Sequence, residues 1–134
     1  MAEKGEGRIM NVSSLAGFQP GPLLAVYFAT KAFVLSFSEA ITNELKGTGV
    51  IVTTLCPGPT ESEYKTVANL GNSKLFMRRK IPSAKEVAGY GYRKMMKGSM
   101  TAVPGLYNKF LATGYRFLPR GIILKAVRSL QERI

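Results

Sequence analysis

The apolar positions of the chain alternate between strand-like and helix-like spacing, and each change marks an element. Residues 9–12, Ile9-Met10-Asn11-Val12, form a short apolar run suited to a buried strand, closed by the small residues of 13–17 where a backbone can turn. Pro20, Gly21 and Pro22 forbid a regular helix over 18–24. From about 24 to 46 the positions Val26, Ala29, Phe33, Phe37, Ala40, Ile41 and Leu45 recur at three and four, the signature of an amphipathic helix, and Gly47 is a natural stop. The period then falls to that of a strand in Val50-Ile51-Val52-Thr53-Thr54-Leu55, β-branched at most positions and closed by Pro57-Gly58. Strand, long helix, strand is a βαβ unit, which makes parallel sheets.

The second half is less regular at first, with a short helix expected around 63–69 and a basic cluster Arg78-Arg79-Lys80. Ser83-Ala84-Lys85-Glu86 is a capping-box pattern and predicts a helix ending near Gly98, in which Gly89 and Gly91 lower the propensity and permit close packing. Met100-Thr101-Ala102-Val103 reads as a third strand before Pro104-Gly105. Residues 107–118 and 120–133 read as two basic amphipathic helices broken at Pro119.

In open parallel sheets ligands sit beyond the carboxyl ends of the strands, so Ser13-Ser14 and residues 57–60 are expected to face one cleft. Tyr27, near the start of the intervening helix, would project towards it. Tyr27 and Lys31 are four apart and share a helix face. A free phenol is only about one part in a thousand ionised at neutral pH, and a neighbouring ammonium favours its phenolate. With a serine hydroxyl opposite, these residue types suit carbonyl/alcohol chemistry. The same spacing also occurs by chance in ordinary helices, and Ser-Ser before a turn also serves as a plain cap.

Composition narrows the choice. The chain has no histidine, no aspartate and a single cysteine, Cys56. That removes Ser-His-Asp and Cys-His nucleophile systems, and neither a His-bearing zinc site nor a thiolate cage is expected. One cysteine also excludes an internal disulfide. The 134 residues suit one modest domain, and no apolar run approaches the roughly 18 residues of a membrane span. Residues 1–7 are polar, so the expected location is cytoplasmic. The net charge of +11 is uneven: residues 1–71 carry five basic and six acidic side chains, and 72–134 carry fourteen and two. Such a basic half suits phosphates, nucleic acid or an anionic membrane, and is more often only a solvated face.

The run Gly7-Arg8-Ile9-Met10-Asn11-Val12-Ser13-Ser14-Leu15-Ala16-Gly17, then Tyr27-Phe28-Ala29-Thr30-Lys31, then Leu55-Cys56-Pro57-Gly58-Pro59-Thr60, resembles the catalytic half of a short-chain dehydrogenase/reductase, with weaker similarity through Val103-Pro104-Gly105. The resemblance covers essentially the whole chain. It implies an α/β fold, the C-terminal half of a Rossmann-type doubly wound parallel sheet with about three strands and flanking helices. It implies an oxidoreductase that moves hydride between NAD or NADP and a small carbonyl or alcohol substrate. Carried over position by position, Tyr27 would give or take the proton, Ser14 would hold the substrate oxygen, and Lys31 would favour the phenolate and bind the nicotinamide ribose. Pro57, Gly58 and Thr60 would shape the nicotinamide side of the pocket. Ser62 stands where the family often has threonine. Residues 61–80 fall at the family's variable substrate loop, where Leu70, Leu75, Phe76 and Met77 suggest an apolar substrate portion.

The resemblance also defines what the sequence lacks. Domains of this family are nearly twice as long, and the glycine pairs Gly5/Gly7, Gly47/Gly49 and Gly89/Gly91 each lack the third glycine of a dinucleotide fingerprint. The family's additional catalytic asparagine is absent, since Asn11 lies on a strand. Residues 1–134 therefore read as a truncated domain without its dinucleotide-binding half, ending in basic amphipathic helices over 107–134, with little activity or cofactor affinity expected alone. The edge of the strand at 9–12 would lack a neighbour, so a complementary N-terminal half or a homo-oligomer is the expected partner. A non-catalytic assembly module built on the helix at 24–46, or a peripheral membrane binder, are the competing readings; nucleic acid is a weaker one.

Overall fold

The structure, a computed structural model, describes residues 1–61 and 81–132. Three parallel strands, β1 (Gly7–Val12), β2 (Val50–Leu55) and β3 (Thr101–Ala102), form a sheet in that order. Gly7 pairs with Val50 and Val12 with Leu55, in register throughout. Helix α1 (Ala25–Glu44) connects β1 to β2, while α2 (Ala84–Met96) precedes β3. Then come α3 (Leu106–Gly114), a 3-10 turn (Tyr115–Phe117) and α4 (Arg120–Gln131). The helix expected around 63–69, the basic cluster Arg78-Arg79-Lys80 and the apolar residues of 70–77 lie outside the described residues.

Adjacent residues of a strand point to opposite faces, and β1 shows which helix covers which. Asn11 donates from Nδ2 to the Ser38 hydroxyl of α1 at 2.9 Å. Its neighbour Met10 packs instead with Leu55, Val87 and Ala102 under α2. The result is an α/β domain with a helix on each face of a parallel sheet. Both sides of Ser83 are used as the capping pattern requires: its hydroxyl accepts from Glu86 N at 3.3 Å, and Glu86 Oε2 accepts from Ser83 N at 2.8 Å. Gly91 is buried where α2 crosses the sheet, and a Cβ there would lie 2.8 Å from Leu55 Cδ2 and 3.1 Å from Met10 Sδ. Gly89, two residues earlier and so on nearly the opposite side of the helix, would meet only the end of the Arg93 side chain.

The structure corrects the apolar stripe of α1. The helix covers the expected span, but the side chains it buries are Phe28, Leu35 and Ser38. Val26 and Phe33 are 78% and 68% exposed, and Phe33 stacks on Phe37 with ring centroids 5.9 Å apart. The periodicity identified a helix, yet apolar residues occupy more than one face, and the sheet covers the one that includes Ser38. A 3-10 turn at Leu15–Phe18, capped by Ser14, also replaces what the sequence marks only as a bend.

Cys56 closes β2 and is wholly buried among Leu15, Leu35, Val103 and Ala112. Burial pushes its thiol up to about 12, against a Ser13 hydrogen bond that pulls it down. The native thiol thus stays protonated while the unfolded chain releases its proton from about pH 9, and stability carried by the neutral thiol is lost as pH rises from there towards 12. Urea midpoints measured against pH should fall over that window, and less steeply in Cys56→Ala. In the same assay Gly91→Val should lower stability by about 1–3 kcal/mol through overpacking. Gly89→Ala should raise it by about 0.5–1 kcal/mol.

Candidate functional site

The carboxyl ends of β1 and β2 are tied together by the backbone beyond the sheet. Ser13 N donates to Leu55 O at 2.8 Å and Leu15 N donates to Pro57 O at 2.8 Å. This fixes the Ser13-Ser14 turn beside the Pro57-Gly58 turn, at the end of the sheet where a ligand cleft is expected. The two serines then divide the work. Ser13 is buried and donates its hydroxyl to Lys31 O at 2.7 Å, a structural bond. Ser14 is half-buried; its Oγ accepts from Ala16 N at 3.1 Å and reaches Pro57 O only at 3.4 Å. That last contact is long for an O–H donor, so the Ser14 proton is the one that a substrate oxygen can take over at small cost.

Tyr27 and Lys31 lie on the first turns of α1, both half-buried. The Tyr27 ring meets Phe28 edge-on at 6.0 Å and 78°, in a cluster with Ala16, Leu24, Ile123, Val127 and Tyr115. The Lys31 ammonium stands 5.8 Å from the Tyr27 ring centroid, within cation–π range, and donates to Val12 O at 3.1 Å. A cation is thus held between the phenol and the end of β1. Gly17 makes this possible, because a Cβ there would lie 2.9 Å from both Lys31 O and Ser13 Oγ.

The loop after β2 is self-supporting. Thr60 Oγ1 donates to Gly58 O at 3.0 Å. Gly58 presses against Asn108, whose Nδ2 donates to Pro104 O at 2.8 Å, and a Cβ on Gly58 would come within 2.7 Å of that nitrogen. Asn108 therefore braces the loop from α3, a role that the sequence reading missed; its offset of four from Pro104, at the start of a helix, was the available signal. Gln19 was missed as well. Its Oε1 is buried without a hydrogen-bond partner among the described residues, directly after the 3-10 turn. Asn11 is committed to Ser38, and Ser62 lies outside the described residues.

A cavity of about 440 Å³ opens elsewhere, between Phe18, Tyr90, Lys94, Val103, Lys109 and Arg116. None of Ser14, Tyr27 and Lys31 lines it. The residues in place fit the ribose and nicotinamide end of a dinucleotide: a braced Pro-Gly loop, a hydroxyl and a fixed ammonium. They do not supply a phosphate end, since no strand-to-helix turn among the described residues carries the three spaced glycines that cradle a pyrophosphate. Among those residues no group of acidic or cysteine side chains is placed to hold a metal ion.

The order of these parts along the chain is shared with known proteins. The very-long-chain 3-oxoacyl-CoA reductase of Bos taurus is 49% identical over 57 residues, which are 42% of this chain and 18% of that one. A 7beta-hydroxysteroid dehydrogenase superposes with a TM-score of 0.73 at 26% identity, over 94% of this chain and 49% of the other. A short-chain dehydrogenase from Sphingobium yanoikuyae in complex with NADPH gives a TM-score of 0.71 at 24% identity, over 91% and 46%, a likeness of fold. The chain thus spans about half of these solved structures and far less of the reductase. The model of the short chain dehydrogenase family matches residues 1–72, more than half of the 134, and with the parallel sheet and the strand-end turns in place the chain belongs to that family.

Proposed function

We propose that these residues are the catalytic half of a nicotinamide-dependent oxidoreductase acting on a small carbonyl or alcohol substrate. The observation that carries the reading is the Lys31 ammonium held 5.8 Å from the Tyr27 ring centroid by the carbonyl of Val12, at the strand end whose next turn carries a Ser14 hydroxyl with only a long contact to satisfy. Tyr27 delivers a proton to the carbonyl oxygen in reduction and receives it from the alcohol in oxidation. Ser14 donates to the same oxygen and fixes its position. Lys31 places positive charge beside the phenol and offers its remaining protons to the ribose hydroxyls. NAD or NADP supplies or accepts the hydride, and Pro57, Gly58, Thr60 and Ser62 flank its nicotinamide. A short-chain dehydrogenase of like fold in complex with NADPH supports a nicotinamide cofactor and leaves the choice between the two open.

The pyrophosphate has no cradle among the described residues, so turnover requires a complementary dinucleotide-binding half, whether joined to this chain or assembled with it. β1 is an edge of the sheet among the described residues and is the strand on which that half would build. A second copy has a separate place to bind: the stacked Phe33 and Phe37 on the outer face of α1, which suits a homo-oligomer. In a chain that joins residues 1–134 to a nucleotide-binding half of the family, Tyr27→Phe should lower carbonyl reduction by about 10²–10⁴-fold while NAD(P)H still binds, read by fluorescence titration. Undiminished turnover would remove Tyr27 as the proton donor. Light scattering should find a dimer that Phe33→Glu dissociates.

A further inference from the structure

We infer that α3, the 3-10 turn and α4 form a docking surface for an anionic lipid bilayer. Leu106, Phe110 and Phe117 fall at intervals of four and seven along α3 and the turn that continues it, so they lie on one side. They are 84%, 73% and 82% exposed, while Ala112 is buried on the sheet side. Lys109 and Arg116, seven apart, run as a parallel stripe beside them. Leu118 and Ile122, on either side of Pro119 and Arg120 in the sequence, are exposed as well. A ridge of large apolar side chains bordered by long cationic ones is what the headgroup boundary accommodates: the rings enter the acyl region while lysine and arginine reach back to the phosphates.

Charge selects the occupant. Residues 106–132 carry five basic side chains and one acidic, and the one ion pair among the described residues joins that acid, Glu132, to Arg128 at 3.3 Å. Lys109 and Arg116 border the cavity that Glu39 also lines, and neither they nor Arg120 is ion-paired to a carboxylate among the described residues. A second copy of the chain would set these cations against each other, which opposes self-association here. Nucleic acid would satisfy the cations yet leave the leucine and phenylalanine ridge in water. A bilayer bearing acidic headgroups takes both. The inference does not depend on the catalytic reading. It needs no membrane-crossing segment, and no helix among the described residues is long and apolar enough to be one.

The test is co-sedimentation of the 134-residue chain with phosphatidylcholine vesicles, with and without phosphatidylserine. The expected result is binding that requires phosphatidylserine, weakens as salt is raised, and falls by about fivefold for each of Lys109→Gln and Arg116→Gln. Phe110→Ser with Phe117→Ser should abolish it at low salt with the helical circular dichroism unchanged, as expected for exposed positions. Absence of binding at low salt would overturn the proposal. Equal binding by the double serine variant would also do so, since it would reduce the surface to a diffuse positive charge. A dimer dissolved by those serines, or duplex DNA bound in preference to the vesicles, would assign the face to another occupant.

Discussion

The structure turns on a reciprocal pair of bonds between one strand end and one helical turn. Ser13 gives its proton to the carbonyl of Lys31, and Lys31 gives one of its own to the carbonyl of Val12. Each bond satisfies a backbone acceptor, and together they fix α1 against β1 at the position where Tyr27 leaves the helix. Burial strengthens the arrangement, because a partly desolvated ammonium without an acceptor is far more costly than one that is paired. Gly17 is bound to the same arrangement by space: any side chain there would push on both partners.

From that clamp the remaining geometry follows in sequence. Two backbone bonds carry the end of β1 across to the end of β2, Pro57 accepts from Leu15, and Asn108 holds Gly58 from the far side. Three segments distant in the chain thereby converge with few side chains spent on the purpose. Tyr27 is also joined, through Phe28 and Ala16, to Ile123 and Val127 of α4. The last helix of the chain, whose outer side is basic, thus shares a hydrophobic cluster with the residue on which the proton chemistry is proposed to depend.

Much of this is legible in the residues themselves. The six β-branched and apolar positions of β2 gave its exact bounds, and the Ser83/Glu86 pattern gave the start of α2, because strand composition and capping are local properties. The close approach of Tyr27 and Lys31 followed from their interval of four. The buried face of α1 did not follow, since Val26, Phe33 and Phe37 are as apolar as Phe28 and Leu35, and only the sheet decides which of them it covers. The division of labour between Ser13 and Ser14 needed the Lys31 carbonyl, and the bracing of Gly58 needed α3, both contacts made across the fold. Local chemistry announces itself in the chain; the choice among equivalent faces does not.

One small feature bears on how such a fold diversifies. Glu61 N donates to Pro82 O at 2.9 Å, and Glu61 forms a parallel bridge with Ser83, so both ends of the intervening stretch are pinned at the same point, next to the capping box that starts α2. The entropy of closing a chain segment rises only slowly with its length, about 0.6 kcal/mol for each doubling. A longer or shorter chain between 62 and 80 therefore adds little to the cost of closing it between those pinned ends. Length can vary there over evolution while the parallel pairing of Glu61 with Ser83 is kept.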